Sequence, residues 1–207
     1  MAANTTHLRR RPVQQRSAAR VERMLEACAT LIDEVGYDGV TTTLIADRAG
    51  VAVGSLYQFF PDKRAVVQAL TQRNLDGFMA AIGERLGAAT LEHWWDAVDL
   101  VFDAYVEMYR HVPGFTQIRF GDVVDLRLMD DQRDNNTVIA DRLSELLADQ
   151  FALPLTELRL PISVAVEISD GILNLAFRRK LFTEDVVIAE AKRVVRGYLS
   201  GHLDQQA

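Results

Sequence analysis

The sequence is poor in the residues that disulfide-bonded and metal-binding proteins need. It has a single cysteine, Cys28, and four histidines that do not recur at the spacing of metal ligands. The cysteine count excludes a disulfide within the chain, and we predict no metal and no cofactor. Cys28 falls on the apolar face of a predicted helix, so we interpret it as a small core residue.

Long apolar runs are also lacking. No stretch approaches the roughly 20 apolar residues of a membrane-spanning helix, and no early stretch resembles the apolar part of a secretion signal. We therefore predict no membrane partner and a cytoplasmic location. The 207 residues, 49% hydrophobic and 8% aromatic, fit a soluble, helix-rich protein with one large or two small domains.

Charge is unevenly distributed along the chain. The net charge is −6, yet the first 24 residues carry six arginines and one glutamate, which leaves −11 for the remainder. A basic head on an acidic body is expected when one end meets a polyanion. We predict residues 1–16 to be a disordered basic arm. Its Arg9, Arg10 and Arg11 either enter a DNA minor groove or belong to a solvated tail, and both interpretations stay open.

Two short helices joined by a tight turn are predicted in the run 41–61. Thr41 suits an N-cap, and Gly50 can end the first helix in the left-handed conformation. Leu56 and Phe60, four residues apart, point to one side of the second helix. The pattern is that of a helix-turn-helix, whose second helix enters the DNA major groove. The alternative is a buried helical hairpin. The apolar side of the first helix would consist of Leu44, Ile45, Ala46 and Ala49.

A longer helix precedes this pair. Its apolar residues advance by three or four from Val21 to Val35, which predicts a helix capped by Ser17 and ended by Gly36. Asp62 can cap the next long helix, where Lys63 stands in the first turn. A cation there opposes the helix dipole, so we predict that a phosphate offsets its cost.

Two stretches carry a family resemblance. The run 50–63, GVAVGSLYQFFPDK, resembles the signature of the TetR family of transcriptional regulators, and the run 20–37, RVERMLEACATLIDEVGY, is similar to that family's first helix. The resemblance covers roughly residues 17–70. It departs at Ala52, where the family usually has a capping serine, and at Phe59, where tyrosine or histidine often contacts phosphate.

The resemblance implies an all-α fold without enzymatic activity or catalytic residues. An N-terminal three-helix helix-turn-helix DNA-binding domain, residues 17–63, would be followed by a larger helical-bundle ligand-binding and dimerisation domain, residues 64–207. The implied partners are double-stranded operator DNA, a second copy of the chain and a small-molecule effector. The implied and candidate DNA contacts are Thr41, Thr42, Thr43, Val53, Gly54, Ser55, Tyr57, Gln58, Phe59 and Lys63.

The remaining chain predicts helices over 91–112, 115–120, 132–151 and 156–180, and from Thr183 onward. Val138 is expected inside the third of these. The helix over 156–180 is apolar outside the stripe of Ser163, Glu167, Asp170 and Asn174, so it needs cover on two sides. A two-fold dimer would supply the second cover. We expect the stripe to pair across that interface or to face water, rather than a ligand. The predicted interface residues are Val166, Leu173, Val187, Val194 and Tyr198.

A ligand pocket is predicted among large side chains of the second half. Occupancy would change the spacing of the two recognition helices. The same set is equally typical of an ordinary core. Two other classes stay open: an effector-less or architectural DNA-binding protein, and an enzyme or carrier, although no nucleophile lies beside a base. The predicted pocket residues are Phe78, Trp94, Phe102, Tyr105, Tyr109, Phe115, Phe120, Asn174 and Phe177.

Overall fold

The computed structural model describes residues 10–118, 135–179 and 182–204, with side chains for 16–118, 136–177 and 182–204. Every regular element in this described part is helical, which confirms the predicted all-α class. The chain divides into two compact units, Met1–Leu70 and Thr71–Ala207. The division therefore falls a few residues later than the predicted boundary at residue 64.

The first unit contains α1 (Arg10–Gly39), α2 (Thr42–Arg48), α3 (Val53–Tyr57) and the start of α4 (Lys63–Ala88). Helix α1 begins at Arg10, so Ser17 lies inside it and is not its N-cap. Residues 10–16, predicted to be disordered, are helical. Apolar periodicity marks only the packed part of a helix, whereas arginine and glutamine extend it through their own helix propensity. Gly36 interrupts α1 at φ 71°.

The core of the first unit lies along α1. Met24, Cys28 and Ile32 are fully buried there, and Ile45 of α2 joins them. Leu44, predicted to face the core, is 42% exposed instead. Helix α2 has only seven residues and buries one narrow face, which holds Ile45 and Ala46 but not Leu44.

The second unit is a helical bundle. It comprises the rest of α4 with α5 (Trp94–His111), α6 (Asn135–Phe151), α7 (Leu155–Asn174), a π-helical turn (Leu175–Arg179) and α8 (Glu184–Leu203). Helix α7 packs against α6 and α8, and α5 packs against the same two helices. The start of α5 is fixed by Asp96, whose carboxylate accepts bonds from the N–H groups of Glu92 and His93.

Residues 113–117 form hydrogen-bonded turns, with the N–H of Ile118 donating to the carbonyl of Gly114 at 3.0 Å. The described start of the predicted short helix over 115–120 is therefore a turn, and residues 119–120 lie outside the described residues. Val138 is 37% exposed rather than internal. Phe120 lies outside the described residues.

Helix α7 differs from the expectation that no stretch could span a membrane. The run Leu155–Phe177 has a mean hydropathy of 1.4 and is long and apolar enough to cross a bilayer by length and composition. The core helix of a soluble protein meets the same test. Only 39% of its most apolar window is buried within the chain, so part of its apolar surface faces outward.

Candidate nucleic-acid interface and effector cavity

The turn between α2 and α3 has the geometry of a helix-turn-helix. The hydroxyl of Thr41 accepts the N–H of Leu44 at 3.2 Å, which confirms the predicted N-cap. Gly50 takes the left-handed conformation at φ 64°, and the N–H of Val51 donates to the carbonyl of Ala46 at 2.9 Å. The turn thus satisfies the orphan carbonyls at the end of α2.

Helix α3 is buried on one face and exposed on the other. Leu56 is fully buried and Phe60 is 8% exposed, as their spacing predicted. Tyr57 is 52% exposed, Gly54 and Gln58 are exposed, and the remaining candidates are half-buried. Ala52, at the N-cap of α3, makes no side-chain capping bond. The half-buried candidates of α3 and its flank are Val53, Ser55 and Phe59.

A hydroxyl pair links α2 to α3 at the surface. The Thr42 and Tyr57 hydroxyls share a hydrogen bond of 3.0 Å. Thr42 is half-buried, while Thr41 and Thr43 are exposed. The pair fixes the direction of the Tyr57 ring, a feature that sequence spacing alone does not reveal.

Lys63 has a partner inside its own unit. Its ammonium donates to the carbonyl of Tyr37 at 2.9 Å and stands 4.3 Å from the centre of the Tyr37 ring. The carbonyl is accessible because Tyr37 lies in the last turn of α1, which ends at Gly39, and it also accepts the N–H of Val40 at 3.3 Å. The dipole argument located an unusual cation correctly, but a phosphate is not needed to account for it.

An ion pair that the sequence did not indicate joins α1 to α2. The Arg48 guanidinium donates to both carboxylate oxygens of Glu34, at 2.9 and 2.7 Å. The hydrogen bond from Arg48 lowers the pKa of Glu34 below its ordinary value and raises the pKa of Arg48. Both side chains are exposed, so the pair positions α2 more than it stabilises the fold.

The basic arm lies mostly outside the described residues. Arg9 lies outside the described residues, and the side chains of Arg10 and Arg11 lie outside the described side chains. No group of three or more metal-ligating side chains occurs in the described part of the chain.

The second unit contains an apolar cavity of about 70 Å³. Five helices, α4 to α8, line it, and most of the lining is aliphatic. Three predicted pocket residues, Phe78, Phe102 and Tyr105, are among the lining side chains. The aliphatic lining residues are Leu86, Ala97, Val98, Val101, Ile139, Leu143, Leu146, Leu147, Ile162, Ala165, Val166, Val195 and Leu199.

Four other predicted pocket residues belong to the packed core. Tyr109 stacks on Phe177 with ring centres 4.4 Å apart, and Phe115 meets Tyr109 edge-on at 5.1 Å. Trp94 is 5% exposed and its indole N–H donates to the Asp204 carboxylate at 2.8 Å. Aromatic content therefore does not separate a cavity wall from a filled core.

Two residues of the polar stripe of α7, Glu167 and Asp170, are paired within their own unit. The Tyr105 hydroxyl donates to the buried Asp170 carboxylate at 2.7 Å, and the Asn136 amide donates to Glu167 at 3.1 Å. Asp170 is therefore not exposed to water and is not paired across a dimer interface, contrary to expectation. Burial first, and then the neighbouring charges, raise the pKa of Tyr105 well above its ordinary value. Asn174 Oδ1 is buried without a hydrogen-bond partner and does not line the cavity.

Two of the predicted interface residues are internal. Leu173 is fully buried and Val187 is 6% exposed within one chain, so neither has surface left to cover. Val166, Val194 and Tyr198 are half-buried. The periodicity of α7 showed that two sides are apolar, but it did not show which side the chain itself covers.

The anchored α3 and its open face define a helix-turn-helix protein of the DNA-binding class. Two family models match this chain: "Bacterial regulatory proteins, tetR family" over residues 24–70, and "Tetracyclin repressor-like, C-terminal domain" over residues 92–203. The second match alone covers more than half of the chain. The chain therefore belongs to the TetR family, as the run 50–63 predicted.

Individual relatives agree with this family. A TetR-family regulator of known structure from Streptomyces coelicolor is 39% identical, with a TM-score of 0.76, and the match covers 89% of this chain and 99% of that one. The nucleoid occlusion factor of Haemophilus ducreyi is 31% identical over 49% of this chain and 50% of its own length. The class A tetracycline repressor of transposon 1721 from Escherichia coli is 42% identical over 25% of this chain and 24% of its own length. The chain thus spans half or less of the length of these two curated relatives.

Proposed function

We propose that this protein is a cytoplasmic transcriptional repressor that binds a palindromic operator as a homodimer and leaves it when a small molecule occupies the second unit. The observation that carries the proposal is the outward face of α3. That face holds small, polar and aromatic side chains instead of the charged residues of a solvated helix. Buried Leu56 and Phe60 anchor the opposite face of α3.

The DNA contacts follow from the position of each side chain. Val53, Gly54 and Ser55 are the first residues of α3. They can approach base edges, because N-terminal residues of a recognition helix contact the bases. The Tyr57 hydroxyl, aligned by Thr42, suits a phosphate or a groove wall. A two-fold dimer would present two such helices to half-sites about 34–36 Å apart, or a multiple of that spacing.

The backbone contacts include groups that already have partners. A lysine ammonium has three donors, so Lys63 can bond the Tyr37 carbonyl and still reach a phosphate. Thr41, Thr43, Gln58 and Phe59 are further contact candidates beside it. The arm with Arg9, Arg10 and Arg11 would add phosphate or minor-groove contacts, which salt would weaken.

The homodimer would form through the outward face of α7. Leu160 is 72% exposed, and Val164 and Ile168 follow at intervals of four on the same face. Half-buried Val194 and Tyr198 stay in the proposal, whereas Leu173, Val187 and Val166, which lines the cavity, are replaced by this row. Covering such a row with a second copy would remove apolar area from water.

Replacing Tyr57 with alanine tests the DNA interface. We expect operator affinity to fall by about 1–3 kcal/mol, since a groove contact is lost, while the dimer and the helix content stay unchanged. Fluorescence anisotropy with operator DNA, at fixed salt, measures the change. The matched variant Tyr57→Phe keeps the ring and should recover part of the loss. Unchanged affinity in Tyr57→Ala would show that α3 does not read DNA.

A second candidate is a DNA-binding protein without an effector. The small cavity supports it, because pockets for drug-sized ligands are usually about 300–1,000 Å³. A ligand screen by thermal shift separates the two candidates. A compound that stabilises the second unit and releases operator DNA supports the ligand-controlled repressor, and tight operator binding unaffected by any stabilising compound supports the alternative.

A further inference from the structure

Helix α3 and the residues at its two ends, 52–60, contain no charged residue. Proteins that read DNA sequence recognise guanine most often with arginine or lysine, whose donors match the two guanine acceptors in the major groove. Helix α3 has neither residue. Its outward face therefore has to distinguish the bases by other chemistry, which the side chains on that face define.

The cations that flank α3 already have partners. Three occur between the start of α2 and the first turn of α4. The Arg48 guanidinium donates to both oxygens of Glu34, which occupies the fork that would pair with guanine. Arg64 lies 3.8 Å from the Asp62 carboxylate. Lys63, bonded to a carbonyl of α1, can still reach a phosphate, but a phosphate contact carries no base information.

Small apolar groups occupy the outward face where α3 begins. Ala52 and Gly54 are exposed, and Val53 between them is half-buried and does not belong to the buried core. The neighbours are too small to cover the Val53 isopropyl group, since one has a single methyl group and the other has no side chain. The first residues of a recognition helix are those that reach base edges. An isopropyl group therefore lies where a hydrogen-bonding side chain would otherwise read a base.

The major groove offers such a side chain one apolar group, the 5-methyl group of thymine. The other groups that identify the bases there are hydrogen-bond donors and acceptors. An apolar side chain placed against a donor or an acceptor removes its water and returns no hydrogen bond, which is unfavourable. Contact with the methyl group instead removes apolar area of both partners from water. The chemistry of the first turn of α3 thus favours thymine.

We propose that Val53 is a specificity-determining residue that contacts the 5-methyl group of a thymine, so that each operator half-site has an A·T pair where α3 begins. Ser55 can bond more than one base through its hydroxyl and adds affinity without this selectivity. The assignment rests on the proposed DNA-binding function and specifies the class of sequence that the protein reads.

The basic arm is a second source of A·T preference if its arginines enter the minor groove, which is narrow in A·T runs. Deoxyuridine separates the two sources. It pairs with adenine as thymine does and presents the same minor-groove acceptor, but it lacks the 5-methyl group in the major groove. Loss of affinity on this replacement therefore reports on the major groove alone.

Selection from a random duplex library by the full chain supplies the DNA for the test. The enriched half-sites should share a thymine at one fixed position. Replacing this thymine by deoxyuridine should raise the Kd in fluorescence anisotropy about fourfold per half-site, the ratio that burial of one carbon group gives. If deoxyuridine replaced every thymine of the site without loss, the assignment would be overturned, and any A·T preference would belong to the arm.

Two variants identify the side chain that contacts the methyl group. Val53→Ser should bind the thymine and deoxyuridine duplexes with equal affinity, because the isopropyl group is gone. Ser55→Ala, on the same helix, should keep a difference of about fourfold per half-site, whatever its own loss of affinity. Serine has a helix propensity similar to that of valine, and alanine has a higher one, so both variants should fold, as circular dichroism would verify. A Val53→Ser variant that kept the full difference would contradict the assignment.

Val53→Arg tests the same position by a change of preference. A second selection with this variant should replace thymine by guanine there, because the arginine fork matches the two guanine acceptors. An unchanged base at that position would overturn the assignment. Failure of the unmodified chain to enrich any duplex would contradict the proposed DNA-binding function as well, whereas an enriched site without a methyl effect would contradict only the role of Val53.

Discussion

At the scale of single residues, Lys63 illustrates what sequence reasoning can and cannot find. The dipole of α4 shows that a cation in its first turn needs a compensating partner. The partner is the carbonyl of Tyr37, which lies in the last turn of α1, 26 residues earlier in the chain. Such a contact depends on tertiary structure and has no local signal in the sequence.

The Lys63→Met variant should lower the free energy of unfolding of the first unit by roughly 1 kcal/mol, since a charge-assisted hydrogen bond in a half-buried place is lost. Urea unfolding followed by circular dichroism measures this change. Lys63→Arg keeps a donor and should recover part of the loss. If Lys63→Met retained full stability and lost only operator affinity, the contact with Tyr37 would carry no weight.

At the scale of elements, local signals predicted the helix-turn-helix well. The Thr41 cap, the left-handed Gly50 and the inward pair Leu56 and Phe60 each depend on a few neighbouring residues, and the structure places all four as expected. The start of α1 and the inward side of α7 were predicted wrongly. Both depend on what packs against the helix, which periodicity does not specify.

The link between α1 and α2 should depend on pH. Arg48 holds the pKa of Glu34 below its ordinary value of 4.5. A carboxylate with a lowered folded-state pKa stabilises the fold above its ordinary pKa, and this contribution disappears as the pH falls through the lowered pKa. We therefore expect the first unit to lose stability on acidification below about pH 4.5.

Urea unfolding between pH 3 and pH 7 measures the contribution of this ion pair. Glu34→Gln should flatten part of the acid limb relative to the unmodified chain. Glu26→Gln, on the same helix and also exposed, is the matched control. An acid limb of the same shape in both variants would mean that the ion pair does not affect stability.

At the scale of the whole molecule, the fold class and the family followed from the sequence, while the proposed dimer interface did not. The row of Leu160, Val164 and Ile168 became visible only after burial had assigned Leu173 to the interior. A test of the dimer at Leu173 would mainly unfold the chain, because an aspartate there would be buried without a partner.

Leu160→Asp is the sharper test of the homodimer. A charge on the outward face of α7 should shift the protein from dimer to monomer in analytical ultracentrifugation, because a buried unpaired carboxylate is costly. Val138→Asp, at another exposed apolar position on α6, is the control and should sediment as the unmodified chain does. A Leu160→Asp variant that is still dimeric would move the interface away from this row.

Both tryptophans of the chain, Trp94 and Trp95, begin α5, where Trp94 bonds Asp204 and Trp95 lies under the Arg196 guanidinium at 4.5 Å. Excitation of the indoles therefore reports on the second unit alone. A change in tryptophan emission during a denaturant titration gives the denaturant concentration at which the helical bundle unfolds. The tyrosines of the first unit, Tyr37 and Tyr57, require a separate optical signal. Comparison of the two signals would reveal whether the units unfold together or one after the other.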